Sequence, residues 1–381
     1  IIPQRIGVVS INFKLTETIK IGGDFMKKLA LLLGSLLVVG TAVQAKEVVV
    51  APVEVSKEVV VVAEPVVEEV AVVELTPEFR PTGYLGLEYR AYGDTEGHGD
   101  KISSKDKWNN GSNRYSRLET TFGVAATEKF SIEGRIRDYN SLERNDEKYI
   151  NNEDGTETRL RAYYKHNDLF TSRVEYKDAT DEKQSFEYQA RLNVYKNEGG
   201  LLSDLVFAPK FKHTMAANNG GAYKNTVGAD IDYAGNLPLG FTWDGTIYLN
   251  QNFYGEDFHT NPDLTNNKDK AFEPEWEIYL RRKFALYAND NYALDFNFEG
   301  GYDPYVFGQY DKYVEKDVKI EKNDYSLYTL LTLDLEYKVT ENFSINGGAG
   351  AEYRNWDNTA QSSASDWRWQ PVAYAAMKVT F

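Results

Sequence analysis

The chain reads as an all-β protein, a transmembrane antiparallel β-barrel of about fourteen strands, with sixteen as the alternative count. Three observations predict this. From Thr82 onward, apolar and polar residues alternate with period two. The connections between alternating segments are short and long in turn, and the final segment ends on an aromatic residue, Phe381. An amphipathic helix would instead space its apolar residues by three and four. Mean hydropathy is −0.53 and 27% of residues are charged. Such values suit a soluble chain equally well, because only alternate residues of a membrane strand face lipid.

The N-terminal region divides by composition. Residues 1–25 read as an extension translated from upstream of the true start, since Gly22-Gly23-Asp24 can be encoded by a ribosome-binding sequence just ahead of Met26. Residues 26–45 form a signal peptide: Lys27 and Lys28, an apolar run from Leu29 to Gly40, then Val43 and Ala45 as the small residues of a cleavage site. Cutting after Ala45 leaves Lys46 as the mature N-terminus. Residues 46–81 are built from Val, Glu, Ala and Pro, and prolines 52, 65, 77 and 81 interrupt regular structure. They suggest an extended periplasmic linker, with a cell-wall contact or a partial plug of the barrel as alternatives.

Residues 82–381 form the barrel. Leu85, Leu87, Tyr89 and Ala91 share one face, with Glu88, Arg90 and Tyr92 on the other. Leu118, Phe122 and Val124 oppose Arg117 and Glu119; Ile132 and Ile136 oppose Glu133, Arg135 and Arg137. The pattern repeats with Leu160 against Arg159 and Arg161, Val174 against Arg173 and Glu175, and Phe186 to Val194 against Glu187, Gln189 and Arg191. Weaker alternation covers 205–212 and 227–233, and stronger alternation covers 241–249, 276–283, 294–299, 325–337, 343–353 and 367–381. An even count suits a single-chain bacterial barrel, and short turns on one side place both termini in the periplasm. Outward aromatics near strand ends form two girdles, one of Phe130, Phe170, Phe241, Phe343 and Phe381, the other including Tyr89, Trp276, Tyr353 and Trp369. Val379 and Phe381 stand as the C-terminal assembly signal read by the barrel-assembly machinery.

The inward face carries the functional expectation. Arg117, Arg135, Arg137, Arg159, Arg161, Arg173 and Arg191 form a basic wall, and Glu275, Glu277, Asp295, Glu299, Asp334 and Glu336 an acidic one. Unpaired charges in a packed core are costly, so they point to a water-filled lumen with a transverse field. The alternative is that the charges pair between neighbouring strands and brace the barrel. Catalysis, cofactor and metal sites find no motif: His98, His166, His213 and His259 are scattered, no HExxH, GxSxG or P-loop occurs, and Cys is absent. A formal charge of −15 argues against a nucleic-acid partner.

The segment MKKLALLLGSLLVVGTAVQAKE, the Val/Glu/Pro-rich stretch, RPTGYLGLEYRAYG and RIRDYNSL together resemble the FomA-type major outer-membrane porins of fusobacteria. The resemblance is clearest from Met26 to about Leu142, and Arg90, Arg135 and Arg137 fall within it. It implies a voltage-sensitive, nonspecific, trimeric porin whose exposed loops also mediate cell adhesion. The leading expectation is therefore an outer-membrane diffusion pore for small hydrophilic solutes and ions, embedded in outer-membrane lipid. The runner-up is a structural or adhesive barrel, its lumen closed by residues 46–80 or by a loop from Asp303 to Asn323 anchored through Tyr305, Phe307 and Tyr310. A substrate-specific channel is the third.

Overall fold

Alternating sequence becomes a wall when each strand finds a neighbour on both sides. The computed structural model describes residues 79–97, 113–142, 155–179, 183–216, 223–255, 270–307, 312–314, 318–320, 323–358 and 364–381. These residues belong to one unit, Thr76–Phe381. The upstream extension, the signal peptide and the linker as far as residue 78 lie outside the described residues.

The strands are β1 (Thr82–Tyr92), β2 (Tyr115–Ala125), β3 (Phe130–Ser141), β4 (Gly155–Lys165), β5 (Phe170–Ala179), β6 (Lys183–Lys196), β7 (Asp204–Ala216), β8 (Tyr223–Leu237), β9 (Phe241–Tyr254), β10 (Lys270–Ala288), β11 (Tyr292–Phe307), β12 (Lys312–Val314), β13 (Val318–Ile320), β14 (Asn323–Thr340), β15 (Phe343–Asn358) and β16 (Ala364–Thr380). Fourteen of them close a barrel in sequence order, with β12 and β13 forming a separate two-stranded sheet. Every pairing is antiparallel, and β1 pairs with both β2 and β16. Closure leaves no edge with unpaired backbone groups, which is what a hydrocarbon surround requires of a sheet.

Burial is inverted relative to a soluble protein. Gln189 is 0% exposed and Gln370 1%, whereas Val194 is 59% and Leu335 50% exposed. Leu118, Ile132, Leu160, Phe211, Val227 and Ile345 are likewise exposed, while Arg173, Glu187, Lys210, Asp230 and Asp295 are buried. A surface this apolar is stable against lipid and not against water.

The strands differ in height. β1 to β5 have 10 to 12 residues, close to the length that crosses a bilayer when tilted. β10, β11, β14, β15 and β16 have 16 to 19. Six short turns lie at one end, at 126–129, 166–169, 197–203, 238–240, 289–291 and 341–342. Phe130, Phe170, Phe241 and Phe343 each open the strand that follows such a turn. The other end is uneven: the connection from β5 to β6 spans only residues 180–182, while that from β9 to β10 spans 255–269.

The segment 303–323 departs from the loop expected of it. β11 continues to Phe307 and pairs with the start of β14 through Tyr305 with Tyr325 and Phe307 with Asn323. Backbone amides and carbonyls are satisfied by extending the ladder, so Tyr305 and Phe307 belong to the wall rather than to an inward-folded loop. Tyr310 lies outside the described residues.

The barrel closes at its last residue. Gly83 N donates to Phe381 O at 2.8 Å, and Phe381 N donates to Gly83 O at 3.0 Å. A Cβ on Gly83 would stand 2.6 Å from the Phe381 ring, so the absent side chain makes the space that the terminal ring occupies. Thr82 and Phe381 both lie at the short-turn end, because Thr82 pairs with Ala125 and Phe343 with Val379.

Candidate functional site

The strand pleat sends one residue in two to the interior, and the interior encloses a cavity of about 1250 Å³. On β1 to β6 its lining contains Arg90, Arg117, Arg135, Arg137, Arg159, Arg161, Arg173, Lys177 and Arg191 against three carboxylates, Glu157, Glu175 and Glu187. On β9 to β15 the balance reverses, with Glu273, Glu275, Glu277, Glu299 and Glu352 against Arg281 and Arg354. By strand order these two arcs face each other across the barrel. All seven arginines of the expected basic wall therefore line the cavity, as do Glu275, Glu277 and Glu299.

The other three expected acids are not among the lining residues. Asp295 is buried and pairs with Lys283 at 2.6 Å. Asp334 stands in register with Asp295 and accepts a hydrogen bond from Asn297. Glu336 lies one inward position beyond Asp334, towards the turn at 341–342. A third group of charges, Lys210, Lys212 and Lys224 on β7 and β8, also lines the cavity and was not singled out by sequence reasoning.

The basic arc is a lattice of ion pairs. Glu88 meets Arg90 at 2.9 Å and Arg117 at 3.0 Å. Glu119 is shared between Arg137 and Arg117. Glu157 binds Arg135 and, at 3.1 Å, Lys177. Arg161 spans Glu133 and Glu175, and Tyr163 donates to Glu133 at 2.8 Å. The lattice continues through Arg173 with Glu187, Lys210 with Asp230 at 2.6 Å and Arg191 with Asp232 at 2.7 Å. Pairing between neighbouring strands, the bracing alternative, is thus extensive. The cause is register: Glu119 stands opposite Arg137, and Glu133 opposite Arg161, which in turn stands opposite Glu175.

The acidic arc is held differently. Tyr248 and Tyr279 both donate to Glu277, Tyr328 donates to Glu299 at 2.6 Å, and Asn252 donates to Glu273 at 2.6 Å. Neutral donors satisfy a carboxylate without cancelling its charge. Glu299 also takes Arg281, which reaches Asp244 as well.

One arrangement outside the lumen has a chemical cast. His166 Nε2 lies 2.9 Å from Ser172 Oγ, and the Tyr188 hydroxyl is 3.2 Å from the same oxygen. The two residues meet because a short turn folds β5 back on β4. The imidazole stacks on Phe170 at 4.5 Å. Among the described residues no carboxylate holds the other ring nitrogen, so the third group of a triad is not seen there. The described residues contain no group of three or more candidate metal ligands.

No family model matches the chain, and no curated protein matches it. Among solved structures, a bacterial polysaccharide outer membrane secretin is 12% identical, covering 78% of this chain and 97% of that one with a TM-score of 0.40. OmpT, an outer membrane protein of Vibrio cholerae, is 11% identical, covering 79% and 97% with a TM-score of 0.32. OprD of Pseudomonas aeruginosa is 10% identical, covering 79% and 95% with a TM-score of 0.31. The fold assignment rests on the chain's own strand pairing and inverted burial: a closed fourteen-strand barrel, apolar outside and charged within, which is an outer-membrane β-barrel.

Proposed function

We propose that the protein is a general diffusion porin of the FomA type, passing small hydrophilic solutes and ions through a water-filled lumen. The observation that carries this reading is the cavity lining, which is charged or polar at nearly every position. A dry interior with that lining would bury more cations than carboxylates on one arc, at several kcal/mol for each unpaired ion. Water removes that cost. It also leaves a transverse field between the two arcs that favours polar solutes over apolar ones.

The remaining parts of the reading rest on the sequence pattern and on the resemblance to the FomA-type porins. The short-turn end faces the periplasm, with Val379 and Phe381 serving recognition by the assembly machinery. The longer connections face outward, where adhesion partners would meet them, and the barrel assembles as a homotrimer.

The test is single-channel conductance of the chain from Lys46 to Phe381, refolded into a planar bilayer. Stable ohmic steps that scale with salt are expected. Silence from a folded, heat-modifiable barrel would overturn the pore and favour a plugged, adhesive protein.

A further inference from the structure

Glu157 sits at the most crowded point of the basic arc. Its Oε1 accepts from Arg135 and lies 4.0 Å from Arg137, while its Oε2 meets Lys177 Nζ at 3.1 Å. Both oxygens are therefore engaged by cations other than Arg159. Two positions beyond Arg159 on β4, Arg161 occupies Glu133 and Glu175. Arg159 stands between these two clusters and lines the cavity. Among the described residues it makes no hydrogen bond and no ion pair. Its cross-strand neighbours are Arg135 on β3 and Lys177 on β5. Three cations thus lie in one row, and the carboxylates nearest them are already committed.

We propose that Arg159 anchors an oxyanion-binding site in the lumen, with Lys177 as a second donor, taking a small carboxylate or phosphate ion. A guanidinium offers two parallel N–H groups that match the two oxygens of such an anion. The Lys177 side chain is 35% exposed, which leaves its ammonium hydrogens within reach of a bound ion. Glu157 answers Arg135 and Lys177, and a bound anion would add the direct contact that Arg159 lacks among the described residues. Small organic acids or phosphates then dwell at the row, whereas neutral solutes pass it. The site rests on the pore reading only in that the lumen must admit water and ions.

The test uses the protein extracted in detergent, with succinate and inorganic phosphate as probes. Each is titrated calorimetrically into the folded barrel and, separately, into a bilayer in which chloride current is recorded. Wild type is expected to bind and to show a graded fall in chloride current. Arg159→Gln should raise the half-blocking concentration about tenfold, the scale of one charge-assisted contact. Lys177→Gln should raise it less, and Lys196→Gln, at the exposed end of β6, should leave it unchanged. Response to succinate alone assigns the site to carboxylates, and response to phosphate alone assigns it to phosphates.

Equal block of wild type and Arg159→Gln, or conduction with no block by either probe, overturns the site while leaving the porin standing. If no current flows at all, calorimetry decides: binding lost in Arg159→Gln supports the site, and no binding by wild type overturns it. Should Arg159→Gln fail to fold, Arg159→Lys keeps the charge without the fork. It is expected to weaken binding, and undiminished affinity would count against a guanidinium anchor.

Discussion

The two arcs of the lumen hold their carboxylates by different chemistry. On β1 to β6, Glu88, Glu119, Glu133, Glu157, Glu175 and Glu187 are answered by guanidinium or ammonium groups. On β9 to β15, Glu273 and Glu277 are answered by amide and phenol donors, Glu299 by both Tyr328 and Arg281, and Glu352 by Arg354. The first arrangement neutralises charge in pairs and leaves a surplus of cations. The second satisfies the lone pairs of Glu273 and Glu277 without a counter-charge. The field across the lumen comes from the segregation of the two signs, and the neutral donors around Glu273 and Glu277 let the second arc hold carboxylates without matching cations.

The comparison breaks most visibly at a buried ion pair. Arg173 and Glu187 have side chains 11% and 7% exposed. Arg173→Met should cost about 3 kcal/mol, because it strands the Glu187 carboxylate, read as a lower urea midpoint for the barrel in detergent. Exchanging the pair, Arg173→Glu with Glu187→Arg, should recover most of that loss. If the single variant is as stable as wild type, water reaches Glu187 and the lattice is not a brace.

A smaller effect is expected on the acidic arc. Tyr328→Phe removes one neutral donor from Glu299 and should cost about 1 kcal/mol in the same assay. A cost near that of Arg173→Met would mean that the two arcs are held equally tightly. The smallest stability effect belongs to Glu275, which lines the cavity and, among the described residues, makes no hydrogen bond or ion pair. Glu275→Gln should change stability by less than about 0.5 kcal/mol yet move the ion selectivity of the open channel towards anions. Unchanged selectivity in a conducting variant would remove Glu275 from the ion path.

The fourteen strands were legible because each carries its own alternation, from Leu85-to-Ala91 on β1 to Ala373-to-Phe381 at the end of the chain. Facing direction was legible for the same reason, and so were the arginines that line the cavity. Register was harder, since it depends on where each turn is centred. Glu119 and Arg137 stand opposite one another because both are equidistant from Glu128 in the turn between β2 and β3. That signal was present in the sequence but emerges only when the hairpin is folded about its midpoint. Glu133 and Arg161 face each other across a longer connection, whose centre the sequence does not mark. The extension of β11 and β14 beyond the expected segments was hidden too, because a ladder continuing past the membrane no longer needs apolar residues on its outer face.

The seam between Gly83 and Phe381 has a consequence for assembly. The first and last strands of the barrel are each other's neighbours, and their end contacts use Phe381. β1 pairs with β16 along one side, so that side stays unpaired until the last strand of the barrel is in place. The barrel is therefore indivisible in time as well as in space. A chain stopped a few residues early would leave the mouth of the seam open at the short-turn end, with the strand edges there free to pair with other molecules.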